Sequence, residues 1–162
     1  MTPTLRPFTL VLGGGGARGF AHLGVLRALE REGFRPSGIV GVSMGAVVGA
    51  IYAHRLDWYR AVLDMDVSAF PAPVESSAVG SSGRGSRLRR VIAYLRVLEE
   101  MVRGWGPGTG AGRAGLAELR TILGDVRLEG GRIPIVVSAT DLKSGNRIVI
   151  RSGEAVDAVY AS

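Results

Sequence analysis

Short apolar runs that end at turn residues predict the β-strands of this chain. Residues 8–12 (FTLVL) form the first run, and residues 38–42 (GIVGV) form the second. Two more stand near the end of the sequence, at 133–139 (IPIVVSA) and 146–151 (NRIVIR), with a KSG turn between them. Runs of this length between turn signals indicate strands. The short turn predicts that the last two pair as an antiparallel hairpin.

Helical spacing of apolar positions alternates with these strands. Residues 17–32 carry an apolar face and stop at Gly33, and residues 44–55 are apolar and rich in small side chains. The order strand–helix–strand–helix predicts an α/β fold in which a mainly parallel sheet is joined by right-handed crossovers. Further helical stretches are predicted at 57–67, 87–103, 116–123 and 154–162, the last of which the chain does not finish.

Two stretches interrupt this order. Residues 68–86 are rich in proline, serine and glycine, and residues 104–115 contain a second glycine-rich break. Such composition is typical of loops, and we predict flexible loops at both places. With 162 residues the chain has the length of one domain, so residues 1–162 are interpreted as a single domain.

Composition limits the classes of function. Hydrophobic residues make up 46% and charged residues 21%, as in an ordinary globular protein. The chain has no cysteine, which excludes disulfides and cysteine-based metal sites or nucleophiles. The first residues form too short an apolar run for a signal peptide, and no segment reaches the ~20 apolar residues of a membrane span. We therefore expect a cytoplasmic protein.

The net charge of +6 comes almost entirely from arginine, because Lys143 is the one lysine. A high-GC genome would produce this preference without any function. A surface for anionic lipid is the alternative, since arginine suits phosphate geometry, and it would allow peripheral contact with a membrane. Nucleic acid is disfavoured as a partner because the positive charge is not interleaved with aromatic residues.

The candidate nucleophile is Ser43, in the G-x-S-x-G pattern of residues 41–45 (GVSMG). The pattern falls between a predicted strand and a predicted helix, the context of a nucleophile elbow. Glycine two residues to either side lets the backbone crowd into a sharp turn. The turn would expose the hydroxyl at a helix N-terminus, where partial positive charge favours a developing anion.

A glycine-rich loop, residues 13–19 (GGGGARG), follows the first strand. It contains G-x-G-x-x-G, the dinucleotide-binding pattern, but that interpretation requires an acidic residue near the end of the second strand. Residues 39–42 (IVGV) supply none. An oxyanion hole is the remaining functional interpretation, with backbone N–H groups aimed at one oxygen, and a purely structural turn stays open. Parallel strands would bring this loop and Ser43 to the same edge of the sheet.

Neither histidine is expected to act as a base for Ser43. His54 lies eleven residues further along the same predicted helix, which at ~1.5 Å per residue places it about 16 Å away. His22 lies one turn into the first helix, and we predict that it packs or braces the loop.

Three ordered blocks resemble the patatin-like phospholipase family. Residues 13–30 (GGGGARGFAHLGVLRALE) resemble its glycine-rich oxyanion loop and the helix that follows, and residues 41–46 (GVSMGA) resemble its nucleophile elbow. Residues 133–162 resemble its later strand pair and following helix. The resemblance covers about half of the chain. It implies a three-layer α/β domain with a Ser–Asp dyad, and no metal or other cofactor for acyl transfer.

The family's catalytic aspartate lies in an Asp-Gly-Gly or Asp-Gly-Ala motif, downstream of the block that ends here at Ser162. Asp141 and Asp157 are not followed by glycine, so neither fits the motif and no catalytic base is assigned. We therefore expect the chain to be the N-terminal part of an incomplete domain. Strands that lack neighbours would leave an edge or face exposed, which favours self-association.

The implied activity is that of a serine lipid acyl hydrolase of the phospholipase A, lysophospholipase or esterase type. Ser43 would attack the ester carbonyl of a lipid or other acyl-ester substrate and form an acyl-enzyme. The N–H groups of Gly14, Gly15 and Gly16, with that of Met44, would hold the oxyanion.

Arg18 has two open interpretations, which are steering anionic head groups and bracing the loop. The alternatives to an enzyme are a catalytically inactive lipid-binding or regulatory module and a nucleotide-binding Rossmann-like domain, which the missing acid disfavours.

Overall fold

The computed structural model describes residues 7–70 and 110–162. Its contacts separate into two compact units, one of Met1–Met65 with Glu118–Ser162 and one of Asp66–Ala117. The first unit contains the whole sheet and every candidate site residue.

The sheet has four strands, which lie in the order β1-β2-β3-β4. The first two strands pair in parallel, with Leu12 opposite Gly41, and the second and third pair in parallel, with Val42 opposite Ser138. The third and fourth form an antiparallel pair. These pairings confirm both the predicted α/β class with a mainly parallel sheet and the predicted hairpin. The strand bounds are β1 Thr9–Leu12, β2 Gly38–Val42, β3 Ile135–Thr140 and β4 Arg147–Ile150.

Five α-helices and three short 3-10 helices are present in the described ranges. The α-helices are α1 Ala21–Arg31, α2 Met44–His54, α3 Trp58–Leu63, α4 Gly110–Leu123 and α5 Ala155–Tyr160. The 3-10 helices are Gly16–Phe20, Val67–Ala69 and Leu128–Gly130. None of the helices within residues 7–70 and 110–162 combines the length and the apolarity that crossing a bilayer requires.

Helix α2 forms the centre of the core in the first unit. Every residue from Gly45 to Ala53 is buried, which is the pattern of a helix surrounded by other elements rather than one with a solvent face. Its small residues let it approach the sheet closely, and a Cβ atom on Gly49 would lie 3.0 Å from the Ile39 side chain. The sheet residues that alternate with the core positions are more open, and Val11 is 67% exposed.

The second glycine-rich loop was predicted wrongly at its end. The helix predicted at 116–123 begins at Gly110, so residues 110–115 of the predicted loop 104–115 are helical. The sequence favours a loop because glycine is a poor helix former. Gly115 is buried, and a Cβ atom there would lie 3.4 Å from both the Ala69 carbonyl oxygen and the Phe70 ring, so the helix packs against these residues. Residues 104–109 lie outside the described residues.

The other boundaries shift by a few residues. The first long helix begins with the 3-10 turn, and β3 begins after Pro134, which has no N–H to donate to a sheet. The helix predicted to run on to Ser162 ends at Tyr160. Of the predicted loop 68–86, residues 68–69 belong to the second 3-10 helix. Its residues 71–86 and the predicted amphipathic helix 87–103 lie outside the described part of the chain.

Candidate active site

Ser43 occupies the one-residue turn between β2 and α2. Its backbone has φ 52° and ψ −124°, and it is the one non-glycine residue with a positive φ in residues 7–70 and 110–162. A non-glycine residue in such a backbone conformation is strained by about 1–3 kcal/mol, and the conformation persists only where the surrounding structure enforces it. This turn is the geometry of a nucleophile elbow, as the G-x-S-x-G pattern predicts.

The two glycines of that pattern are required by close backbone contacts. A Cβ atom on Gly41 would lie 2.9 Å from the backbone nitrogen of Ala46. One on Gly45 would collide with the Leu12 carbonyl group and lie 2.6 Å from the Gly13 carbonyl oxygen. The start of α2 is therefore pressed against the end of β1. This contact is what brings the glycine-rich loop next to the elbow.

Gly14 is the loop residue that lies against Ser43. A Cβ atom on Gly14 would lie 3.2 Å from Cβ and 3.9 Å from Oγ of Ser43. The next two residues adopt glycine-favouring conformations, with φ 152° at Gly15 and 55° at Gly16. Among the described residues, the N–H groups of Gly14 and Gly15 donate to no acceptor. The loop residue that lies against Ser43 and the residue after it thus carry backbone N–H groups without an acceptor in the described part of the chain.

Met44 adds a further backbone donor. It is the first residue of α2, where N–H groups have no partner within the helix. Its side chain lies against Gly19, where a Cβ atom would be 2.7 Å from Cβ of Met44. The 3-10 helix Gly16–Phe20 therefore also contacts the elbow, at Gly19.

Ser162 reaches the elbow from the other end of the chain. Its hydroxyl accepts a hydrogen bond from the Ser43 N–H at 2.7 Å and donates one to the Ser138 carbonyl oxygen at 2.6 Å. Sequence reasoning missed this residue, because Ser162 lies 119 positions from Ser43 and no local pattern connects them. The family resemblance includes residues 133–162, but no pattern in that block marks Ser162.

Neither histidine contacts the Ser43 hydroxyl. Nε2 of His22 lies 2.8 Å from the Gly13 carbonyl oxygen, which can only accept, so the ring braces the loop as the sequence predicted. His54 is the last residue of α2, at the opposite end from Ser43. Its Nδ1 and Nε2 lie 2.9 Å from the Ala50 and 3.0 Å from the Arg127 carbonyl oxygens. Among the described residues, no side chain makes a hydrogen bond to Oγ of Ser43.

Asp141 is used locally in the hairpin turn. Its carboxylate accepts hydrogen bonds from the Ser144 hydroxyl at 2.6 Å and the Lys143 N–H at 3.1 Å. These bonds favour the ionised form and hold the pKa of Asp141 below its ordinary value. Asp157 lies in α5. Within the ranges that the structure describes, no three carboxylate or imidazole groups converge to hold a metal ion.

Arg18 lies exposed in the first 3-10 helix. Its N–H donates to the Gly15 carbonyl oxygen at 3.2 Å, so its main chain braces the loop. No carboxylate among the described residues forms an ion pair with its guanidinium group.

Comparison with known proteins extends these observations. A family model described as patatin-like phospholipase matches residues 10–162. An uncharacterised NTE family protein of Mycobacterium tuberculosis is 34% identical over 158 residues, which are 94% of this chain and 36% of that protein. A lysophospholipase of Pyricularia oryzae is 54% identical over 48 residues, which are 30% of this chain and 3% of that protein.

A patatin-like phospholipase domain-containing protein of Caenorhabditis elegans is 56% identical over 48 residues, or 30% of this chain and 4% of that protein. The chain spans about a third of the length of its mycobacterial relatives.

Proposed function

The chain belongs to the patatin-like phospholipase family, and from that premise we propose that it carries the nucleophile of a serine hydrolase that cleaves fatty-acyl esters of lipids. The relative from Pyricularia oryzae bears the name lysophospholipase, which supports a lipid ester as the substrate class. The observation that carries the proposal is the contact of Gly14 with Ser43 at the elbow. In this contact, a loop with backbone N–H groups that are unpaired among the described residues lies against a serine that has a positive φ and is partly exposed.

In the proposed reaction, Oγ of Ser43 attacks the ester carbonyl carbon and loses its proton to a general base. The tetrahedral intermediate expels the alcohol portion of the lipid, and water then hydrolyses the acyl-enzyme. We assign the base to none of the described residues, because none of them makes a hydrogen bond to the Ser43 hydroxyl.

The proposed oxyanion donors are the N–H groups of Gly14, Gly15, Gly16 and Met44. Fixed backbone donors of this kind stabilise a developing anion with little rearrangement, and one such donor contributes roughly 10²–10³ in rate. The N-terminus of α2 adds a partial positive charge at the same place. Arg18, which lies exposed within the glycine-rich loop, is proposed to attract anionic head groups. We further propose a cytoplasmic protein that contacts membranes peripherally and self-associates through exposed sheet residues such as Val11.

A fluorophosphonate probe tests the nucleophile directly. The probe should label Ser43 alone, as identified by mass spectrometry of the digested protein, and Ser43→Ala should abolish labelling. Ser37→Ala is the matched control, because the Ser37 hydroxyl also bonds a backbone carbonyl, that of Phe8, but lies at the start of β2. Labelling that persists in Ser43→Ala would show that the nucleophile assignment is wrong.

A catalytically inactive lipid-binding module is the second candidate. It is favoured by the absence, among the described residues, of any hydrogen-bonded base at the Ser43 hydroxyl. Vesicles of phosphatidylcholine and phosphatidylglycerol separate the two functions. An inactive module would bind the vesicles but would neither be labelled by the fluorophosphonate nor release fatty acid. The proposed hydrolase would be labelled and would release fatty acid.

A further inference from the structure

We infer that Ser162 is a positioning residue for the nucleophile, with its hydroxyl holding Ser43 in the left-handed backbone conformation of the elbow. The inference rests on the proposed function of Ser43. Both hydrogen bonds of the Ser162 hydroxyl are short, at 2.7 Å from the Ser43 nitrogen and 2.6 Å to the Ser138 oxygen. Because a carbonyl can only accept, the hydroxyl proton points to Ser138 and a lone pair faces the Ser43 N–H.

The hydroxyl fills a gap in the sheet. Val42 is opposite Ser138 in the last register position of the parallel pair β2–β3, and the chain turns away at Ser43. The Ser43 N–H therefore lies just beyond the β2–β3 ladder and has no hydrogen-bond acceptor on the described backbone of β3. A buried N–H without an acceptor is destabilising, and the Ser43 N–H is partly buried. Ser162 supplies the acceptor and passes the hydrogen bond on to the neighbouring strand.

Helix α5 carries Ser162 to this place. Its residues Ala155, Val156, Ala158 and Val159 are buried, and the helix contacts α2. The Ser162 N–H donates to the Val159 carbonyl oxygen at 3.2 Å, which ties the serine to the end of the helix. The packing of α5 in the core thus fixes the backbone that carries the Ser162 hydroxyl.

Two consequences follow for catalysis. The Ser43 N–H is already used, so the proposed oxyanion donors are restricted to the glycine-rich loop and Met44. In addition, Ser43 has φ 52°, a conformation that relaxes when its restraints are removed. Without the Ser162 hydroxyl, Oγ of Ser43 would spend less time facing the substrate. Substrate binding by the rest of the site would remain.

The test compares Ser162→Ala, Ser162→Cys and Ser162→Thr in the complete protein, with Ser37→Ala as the control. Ser162→Ala should lower the second-order rate of Ser43 labelling and kcat by roughly 10-fold to 100-fold, the range expected for one unsatisfied donor, with KM unchanged. Ser162→Thr keeps the hydroxyl and should restore the rate to within about 3-fold. Ser162→Cys keeps a side chain of similar size but replaces the hydroxyl with a poor acceptor, so it should also lower the rate of Ser43 labelling. This variant tests the inference if Ser162→Ala fails to fold.

Failure of this inference is distinct from failure of the proposed function. If Ser43→Ala abolishes labelling while Ser162→Ala or Ser162→Cys is labelled at the wild-type rate, Ser162 has no positioning role and Ser43 remains the nucleophile. An equal loss in the alanine and threonine variants would also overturn the inference, because the hydroxyl would not be what matters. If labelling persists in Ser43→Ala, the proposed function is wrong, and the inference fails with it.

Discussion

Gly14 and Ser43 lie so close that a Cβ atom on Gly14 would be 3.2 Å from Cβ of Ser43, although 28 residues separate the two positions in the sequence. The approach exists because β1 and β2 are parallel neighbours, which places both following turns at one sheet edge. Gly45 has no side chain, so the start of α2 packs directly against the end of β1 and the elbow lies next to the glycine-rich loop. The geometry makes each glycine near the elbow separately testable.

Gly14→Ala should lower kcat by about 10-fold or more with little change in stability, because the methyl group would displace Ser43 from its attacking position. Gly13→Ala is the matched control. It lies one residue away, has no positive φ, and a Cβ atom there would meet nothing within 4 Å. Ester hydrolysis and thermal melts of both variants decide the matter, and an equal loss of activity in the two would contradict the steric argument.

Gly16→Ala should reduce turnover by roughly 10²–10³, since strain at φ 55° would shift the proposed oxyanion donors. The control is Gly33→Ala, with φ 79° and open space around its Cα, at the end of α1. Both variants should lose about 1–2 kcal/mol of stability from the left-handed conformation. Only Gly16→Ala should lower kcat. An effect on KM alone would indicate that the loop binds ground-state substrate.

The elbow and the loop could be predicted from sequence because their constraints are local and steric. A turn that admits backbone crowding needs glycine at set positions, and Gly41, Gly45 and Gly14 stand where that crowding occurs. The strands could be predicted for a similar reason, since their apolar runs are short and bounded by turns. Even His22 was interpretable, because its place in the first helix put it within reach of the loop.

Long-range relationships could not be predicted in this way. The bond between Ser162 and Ser43 depends on α5 packing against α2, which no spacing pattern records. The start of α4 at Gly110 was missed because glycine propensity predicts a break, whereas in the structure the helix packs at Gly115 against Ala69 and Phe70. In both cases tertiary contacts outweighed the local signal.

The hairpin turn should weaken in acid through Asp141. Its hydrogen bonds to Ser144 and Lys143 put the folded pKa below the unfolded value of about 3.9, so the unfolded state binds protons first as the pH falls. The stabilisation is therefore present above pH ~4 and is lost as the pH falls through the lowered folded pKa. Asp141→Asn should unfold at lower urea concentration than wild type at pH 7, and the difference should shrink as the pH falls through the lowered folded pKa of Asp141.

Asp125→Asn serves as the control for this acid effect. Asp125 is exposed, and its side chain has no hydrogen-bonded partner in the described residues. Its substitution should leave the urea midpoint unchanged at both pH values. A constant difference between Asp141→Asn and wild type across the pH range would mean that the charge of Asp141 does not stabilise the turn.

Two helical glycines should respond to alanine with opposite signs. Gly24 lies exposed in α1, and a Cβ atom there would meet nothing within 4 Å. Gly24→Ala should therefore raise the free energy of unfolding by about 0.5–1 kcal/mol, the difference in helix propensity between the two residues. Gly45 lies in α2 with the Leu12 and Gly13 backbones directly against its Cα.

Gly45→Ala should lower stability by at least about 1–3 kcal/mol, because backbone atoms cannot rotate away as a flexible side chain could. It should also abolish labelling of Ser43, since separating α2 from β1 moves the elbow from the loop. Thermal melts should show a rise of about 1–4 °C for Gly24→Ala and a larger fall for Gly45→Ala. A Gly45→Ala variant as stable as wild type, and still labelled, would mean that close contact between α2 and β1 is not what assembles this site.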